Sequence, residues 1–91
     1  MADLEKQFKQ KKVTVNGVEY TLQKMPVREA LRLRQRWGSK ETASGVDDEK
    51  MADLCLENIV VSPKVKIENF DNVEDLAELI KECVDFQYVG K

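Results

Sequence analysis

The Asn16-Gly17 dipeptide, set between two alternating stretches, VTV before it and VEYTL after it, constrains this chain more than any other feature. Both central positions of a type I′ turn need positive φ, which Asn and Gly adopt at least cost, so the pattern predicts a β-hairpin with a two-residue loop. Its register follows: Val15 opposite Val18, Thr14 opposite Glu19, Val13 opposite Tyr20 and Lys12 opposite Thr21. That places Val13, Val15, Val18 and Tyr20, extended by Leu22, on one face, with Lys12, Thr14, Glu19 and Thr21 on the other. An isolated hairpin is marginal in water, so the apolar face needs a helix or another chain to cover it.

The rest of the chain supplies helices. Pro26 suits a first turn and Gly38 an end, with Val27, Ala30, Leu33 and Trp37 at helical spacing between them and Leu31 widening the stripe. Ser39 to Val46 is small, polar and glycine-containing, which predicts a flexible loop. A second helix begins near Asp47, where three consecutive acids favour the positive end of its dipole. Its inward stripe is Met51, Leu54, Cys55 and Ile59, with Leu56 and Val60 to one side, and Ser62-Pro63 ends it. Lys64 to Ile67 alternates as a short extended segment would. Asp71 and Glu74 resemble a capping box opening a third helix, whose face is Val73, Leu76, Ala77, Ile80, Cys83 and Val84, with Leu79 flanking and Gly90 as its stop.

The expectation is one small α+β domain, mainly helical. A flexible N-terminus covers 1–10, in which Leu4 and Phe8 are spaced for a short frayed helix. The domain covers 11–89, with a hairpin at 11–23 and helices at about 26–37, 47–61 and 71–88. Ninety-one residues, 42% of them apolar, suffice for a single modest core. No apolar run approaches the ~20 residues of a membrane helix, and MADLEKQFKQKK lacks the apolar region of a secretory signal, so the cytoplasm is the expected setting.

Chemistry is constrained by omission. There is no histidine, which removes histidine bases, triads and metal ligands. Cys55 and Cys83 are too few for a disulfide scaffold or a four-cysteine zinc site. Their mid-helix apolar positions read as packed, reduced thiols, and a redox pair needs Cα atoms within roughly 7 Å. Glu74, Asp75, Glu78 and Glu82 have no partner nucleophile or base nearby in sequence and read as a solvated face. No glycine-rich phosphate loop is present. The expectation is a non-enzymatic protein without metal or cofactor.

Charge is the remaining signal. Residues 1–40 carry ten basic side chains against four acids, a balance of +6, whereas residues 41–91 carry five against thirteen, a balance of −8. Arg28, Arg32 and Arg36 stack along one helix face, with Arg34 nearby. Such a cluster suits an acidic protein surface, including the acidic half of a second copy, and is the basis of a nucleic-acid alternative. The net acidity, the placement of Trp37 on the buried stripe and the lack of a helix-turn-helix pattern count against nucleic acid.

Taken in order, the hairpin VTVNGVEYTL, the basic helix PVREALRLRQRW, the middle helix ending at IVVSPKV and the closing helix NVEDLAELIKECVDF resemble the tail assembly chaperones of long-tailed bacteriophages and prophages. The similarity covers roughly residues 12–88. It implies a small non-enzymatic protein of the host cytoplasm, absent from the mature virion. Such a protein coats the aggregation-prone tape measure protein until tail-tube subunits polymerise around it, which makes both the tape measure and the tail tube protein partners. The resemblance also implies that this chain matches the short form of a family often made in two lengths. No residue-level motif carries over. The candidate protein-binding residues, taken from the helix faces, are therefore Arg28, Arg32, Arg36, Leu76 and Ile80, with head-to-tail self-association expected from the charge polarity. The alternatives are a nucleic-acid-binding regulator built on the arginine helix and a structural tail or connector protein.

Overall fold

The computed structural model describes residues 9–40 and 45–89. The order is β1 (Gln10–Val15), β2 (Val18–Gln23), α1 (Val27–Arg36), α2 (Asp48–Asn58), β3 (Val60–Ser62), a 3₁₀ turn (Ile67–Asn69), α3 (Val73–Val84) and a closing π-type turn (Asp85–Val89). It is an α+β domain. The sheet is antiparallel, with order β1-β2-β3. The expected short helix around Leu4 and Phe8, the middle of the 39–46 loop and the stop at Gly90 lie outside the described residues.

The hairpin has the register its turn demands. Val15 pairs with Val18, Thr14 with Glu19, Val13 with Tyr20 and Lys12 with Thr21. Asn16 and Gly17 take φ values of 49° and 82°, the left-handed geometry that admits glycine freely and Asn at small cost. Pairing begins one residue earlier than expected, at Gln10, and the Lys9 carbonyl accepts from the Lys24 N–H. Of the predicted apolar face, Val13, Val15, Tyr20 and Leu22 are buried, but Val18 beside the turn remains 44% exposed.

Three expectations need correction. The second helix does not reach residue 61: it stops at Asn58, and Val60 and Val61 enter a third strand. β-Branched side chains lose little rotamer freedom on a pleated surface, and β2 has an open edge to pair with. Leu22 faces Val60 and Thr21 faces Ser62, with a register shift between the two pairs, and beyond Leu22 the Gln23 N–H donates to the Ile59 carbonyl. Lys64 to Ile67 is not a strand; Ile67 opens the 3₁₀ turn, closed by the Lys66 N–H donating to the Asn69 side-chain oxygen. The third helix is capped by Asn72, whose side-chain oxygen accepts from the Asp75 N–H at 2.8 Å, and not by Asp71. Asp47 caps α2 as its position suggests, accepting from the Lys50 N–H.

The core is where the sheet's apolar face meets α3 and α2. Leu22 and Val60 come from the sheet, Leu79 and Cys83 from α3, and Cys55 and Leu56 from α2; all six are essentially inaccessible to water, as is Ile59 between α2 and β3. Two side chains expected at the edge of their stripes, Leu79 and Leu56, thus lie at the centre. Conversely Val27 and Val73, assigned to inward stripes, are 69% and 78% exposed. Each stands at the first residue of its helix, where the chain is still arriving from outside the packed layer.

Polar ties at the rim fix α3 across β1. The Asn16 amide donates to Asp75 at 2.9 Å near one end of the helix, and Lys11 meets Glu82 at 3.6 Å near the other. The chain directions of β1 and α3 are therefore opposed. Tyr20 stacks on Phe70, with ring centroids 6.4 Å apart.

Leu79→Ala should cost about 2–5 kcal/mol in urea denaturation, because it opens a cavity against the sheet. Val73→Ala should stay within about 0.5 kcal/mol. A Leu79→Ala loss no larger than that of Val73→Ala would contradict this packing.

Candidate functional site

The five candidate residues fall on two separate surfaces. Arg28, Arg32 and Arg36 are exposed along α1, on the side away from buried Ala30, Leu33 and Trp37. None of the three makes an ion pair or hydrogen bond through its side chain among the described residues. Arg34 is not part of this ridge. Its guanidinium lies 5.3 Å from the centre of the Tyr88 ring, which meets Trp37 edge-on at 5.7 Å. The four arginines thus divide into a free ridge of three and one stacked structural side chain.

Leu76 and Ile80 lie together in an open groove of about 450 Å³ between α2 and α3. Its apolar lining includes Met51, Ala52, Val73, Leu76, Ala77 and Val84, while Asp48, Lys81 and Asp85 stand among its polar residues. Ile80 is only 5% exposed, so it serves as floor, whereas Leu76 and Met51 are half-buried and accessible. The helix spacing that selects Leu76 and Ile80 does not show this difference, because α2 covers one more than the other. Lys81 pairs with Asp85 at 3.2 Å along the rim. A second depression, lined by Asp53, Glu57, Lys64, Lys66 and Glu68 with Leu56 and Val65, sets both signs of charge around its apolar residues.

A latch at the C-terminal turn holds α1 in place, and its components carry no pattern that periodicity would reveal. Gln87 clasps the backbone of Met25, accepting from its N–H at 2.6 Å and donating to its carbonyl at 3.3 Å. The Tyr88 hydroxyl donates to the Ala30 carbonyl at 2.6 Å, and Lys24 sits over the Phe86 ring. At the other end, the Asp47 N–H donates to the Trp37 carbonyl and Gly38 bridges to Val46, so the α1–α2 connection is clipped at its base.

Cys55 and Cys83 are free and buried. Burial pushes the Cys55 thiol up to about 12, and it raises Cys83 further, with Cys55 and Glu82 nearby adding to the effect. Tyr88 is raised to about 12, first by burial and then by Cys55, with Arg34 pulling the other way. Among the described residues no group of three or more potential metal-ligating side chains lies together. No described helix is long and apolar enough to cross a membrane.

No protein-family model, curated protein or solved structure matches this chain.

Both thiols should resist iodoacetamide in the native protein at pH 8 and react in urea, since burial withholds both access and the thiolate. A folded value above the ordinary 9.0 for a thiol or 10.0 for a tyrosine adds stability below that ordinary value, and the contribution disappears as pH rises toward about 12. Urea midpoints should therefore fall as pH rises above 9. Native modification at the rate of a model thiol would contradict the burial.

Proposed function

We propose that this chain is a non-enzymatic phage tail assembly chaperone that holds apolar helical seams of the tape measure protein in the groove between α2 and α3. The observation that carries this reading is the groove itself. Met51, Leu76 and Val84 remain partly accessible over a floor that includes Ile80, and together with Val73 and Ala77 they form one contiguous apolar surface between two helices. Such a groove suits an amphipathic helix, whose side chains at i, i+3, i+4 and i+7 would enter between the two walls. The reading also rests on the sequence resemblance to that family, although the middle helix ends at Asn58 and β3 stands where the resemblance has its last turn. On this reading the protein acts in the host cytoplasm and leaves before the virion matures.

The magnitudes favour many weak contacts. Each fully buried aliphatic side chain contributes roughly 1.5–3 kcal/mol, so two or three in one groove hold a client loosely once the cost of association is counted. Copies spaced along one long client act together, and each can leave when tail-tube subunits displace it.

The test is co-expression with the tape measure protein of the same phage, read by its soluble fraction and by co-elution in size exclusion. The expected result is a client that is insoluble alone but soluble and co-eluting with this chain. Protection should be lost with Leu76→Asp and kept with Lys12→Ala on the opposite face of the sheet, both variants being checked for an unchanged thermal transition. The reading fails if the wild-type chain leaves the client insoluble, or if folded Leu76→Asp protects equally well. A salt-sensitive shift of duplex DNA or RNA by the wild-type chain, abolished by Arg32→Ala, would point to the arginine ridge and a regulator instead.

A further inference from the structure

The outward faces of α1 and α3 carry one template with opposite charge. Aligned residue for residue from Val27 and Val73, the helices read VREALRLRQR and VEDLAELIKE. At about 100° per residue, Val27 and Leu31 form an apolar flank on α1, and Val73 and Ala77 form the same flank on α3. Beside each flank runs a charged ridge at i, i+4 and i+8: Arg28, Arg32 and Arg36 on α1, and Glu74, Glu78 and Glu82 on α3. Glu82 is engaged by Lys11. Glu74 and Glu78, like the three arginines, are exposed and make no side-chain ion pair or hydrogen bond among the described residues. The aliphatics are exposed as well, with Val27, Leu31 and Val73 between 45% and 78% accessible.

We infer that α1 of one copy docks antiparallel on α3 of a second copy. The orientation follows from geometry. When two helices pack face to face, antiparallel axes bring equivalent flanks together, whereas parallel axes set each flank against the opposite one. Because the apolar flank lies on the same side of the charged ridge in both helices, only the antiparallel arrangement sets aliphatic against aliphatic and arginine against glutamate simultaneously. In that arrangement Arg32 meets Glu78 and Arg36 meets Glu74, and Leu31 lies nearest Ala77, while Val27 and Val73, each at the start of its helix, fall at opposite ends of the contact. The parallel arrangement would place a charged ridge over each apolar flank and desolvate it without a partner.

One pair of short helices makes a small interface, so the contact is weak and dependent on ionic strength. Its ridge residues do not line the groove proposed above for a client, so altering them tests this contact separately. Val73 and Ala77 belong to both surfaces and are left unaltered in the test.

The experiment uses the full chain alone in sedimentation velocity, at about 10 mM salt, where the Debye length is ~30 Å, and again at about 1 M, where it is ~3 Å. Two double variants are compared, Arg32→Glu with Arg36→Glu, and Glu74→Lys with Glu78→Lys. All four positions are exposed, so both variants should keep the wild-type circular dichroism and melting transition. The wild type should self-associate at low salt and dissociate at high salt. Each double variant alone should associate at least ~10-fold more weakly, since two attractions become two repulsions. An equimolar mixture of the two should recover association, because the reversed α1 of one then faces the reversed α3 of the other. The inference is overturned by a wild type that stays monomeric at low salt, by folded variants that associate unchanged, or by a mixture that fails to recover.

Discussion

A two-stranded hairpin with one apolar face has no stable existence alone, and the covering of that face by α3 is the contact on which this structure depends. Leu22 of β2 and Leu79 of α3 are both withdrawn entirely from water, and the helix is held across β1 by Asn16 with Asp75 at one end and Lys11 with Glu82 at the other. The remaining elements arrange themselves around that sandwich. α2 closes the open side of α3 through Cys55 and Leu56, and β3 extends the sheet from the end of α2, so the chain between them is too short to take any other route. α1 touches the layer through Leu33 and Trp37 and is secured from behind by Gln87 and Tyr88.

The parts of this architecture legible in the sequence are those governed by local rules. Asn16-Gly17 set the register of the hairpin to the residue, Asp47 marked the start of α2, and the 3.6-residue stripes located all three helices. What local rules missed depended on neighbours far along the chain. Val60 and Val61 continue a helical apolar pattern as readily as they form a strand, and only the edge of β2 decides between them. Val27 and Val73 match their stripes by sequence spacing but lie on the flank turned away from the packed layer, as mid-helix Leu31 does on α1. Leu79 looked peripheral because the stripe was centred on Leu76 and Ile80, whereas the sheet approaches α3 from the Leu79 side.

The candidate site shows the same division. Helical spacing grouped Leu76 with Ile80 correctly, yet gave no means of distinguishing groove wall from floor. It also set Arg28, Arg32 and Arg36 on one face with Arg34 apart from them, but the stacking of Arg34 on Tyr88, a residue more than fifty positions away, needed the tertiary structure. The charge imbalance between the two halves of the chain was visible from composition. Its resolution into two exposed helix faces with matching spacing needed the orientation of each helix against the core. α3 accordingly has a distinct role on each side. Its inner face makes the fold, its border with α2 forms the groove assigned to a client helix, and its outer face carries unpaired glutamates.

The most direct test of that division is amide chemical-shift mapping on isotope-labelled protein as a soluble helical fragment of the tape measure protein is added. Shifts should concentrate at Met51, Ala52, Leu76, Ala77 and Val84, with Val13, Leu22 and the Arg28–Arg36 face of α1 unmoved. Shifts confined to α1, or spread across the sheet with the groove silent, would contradict that division.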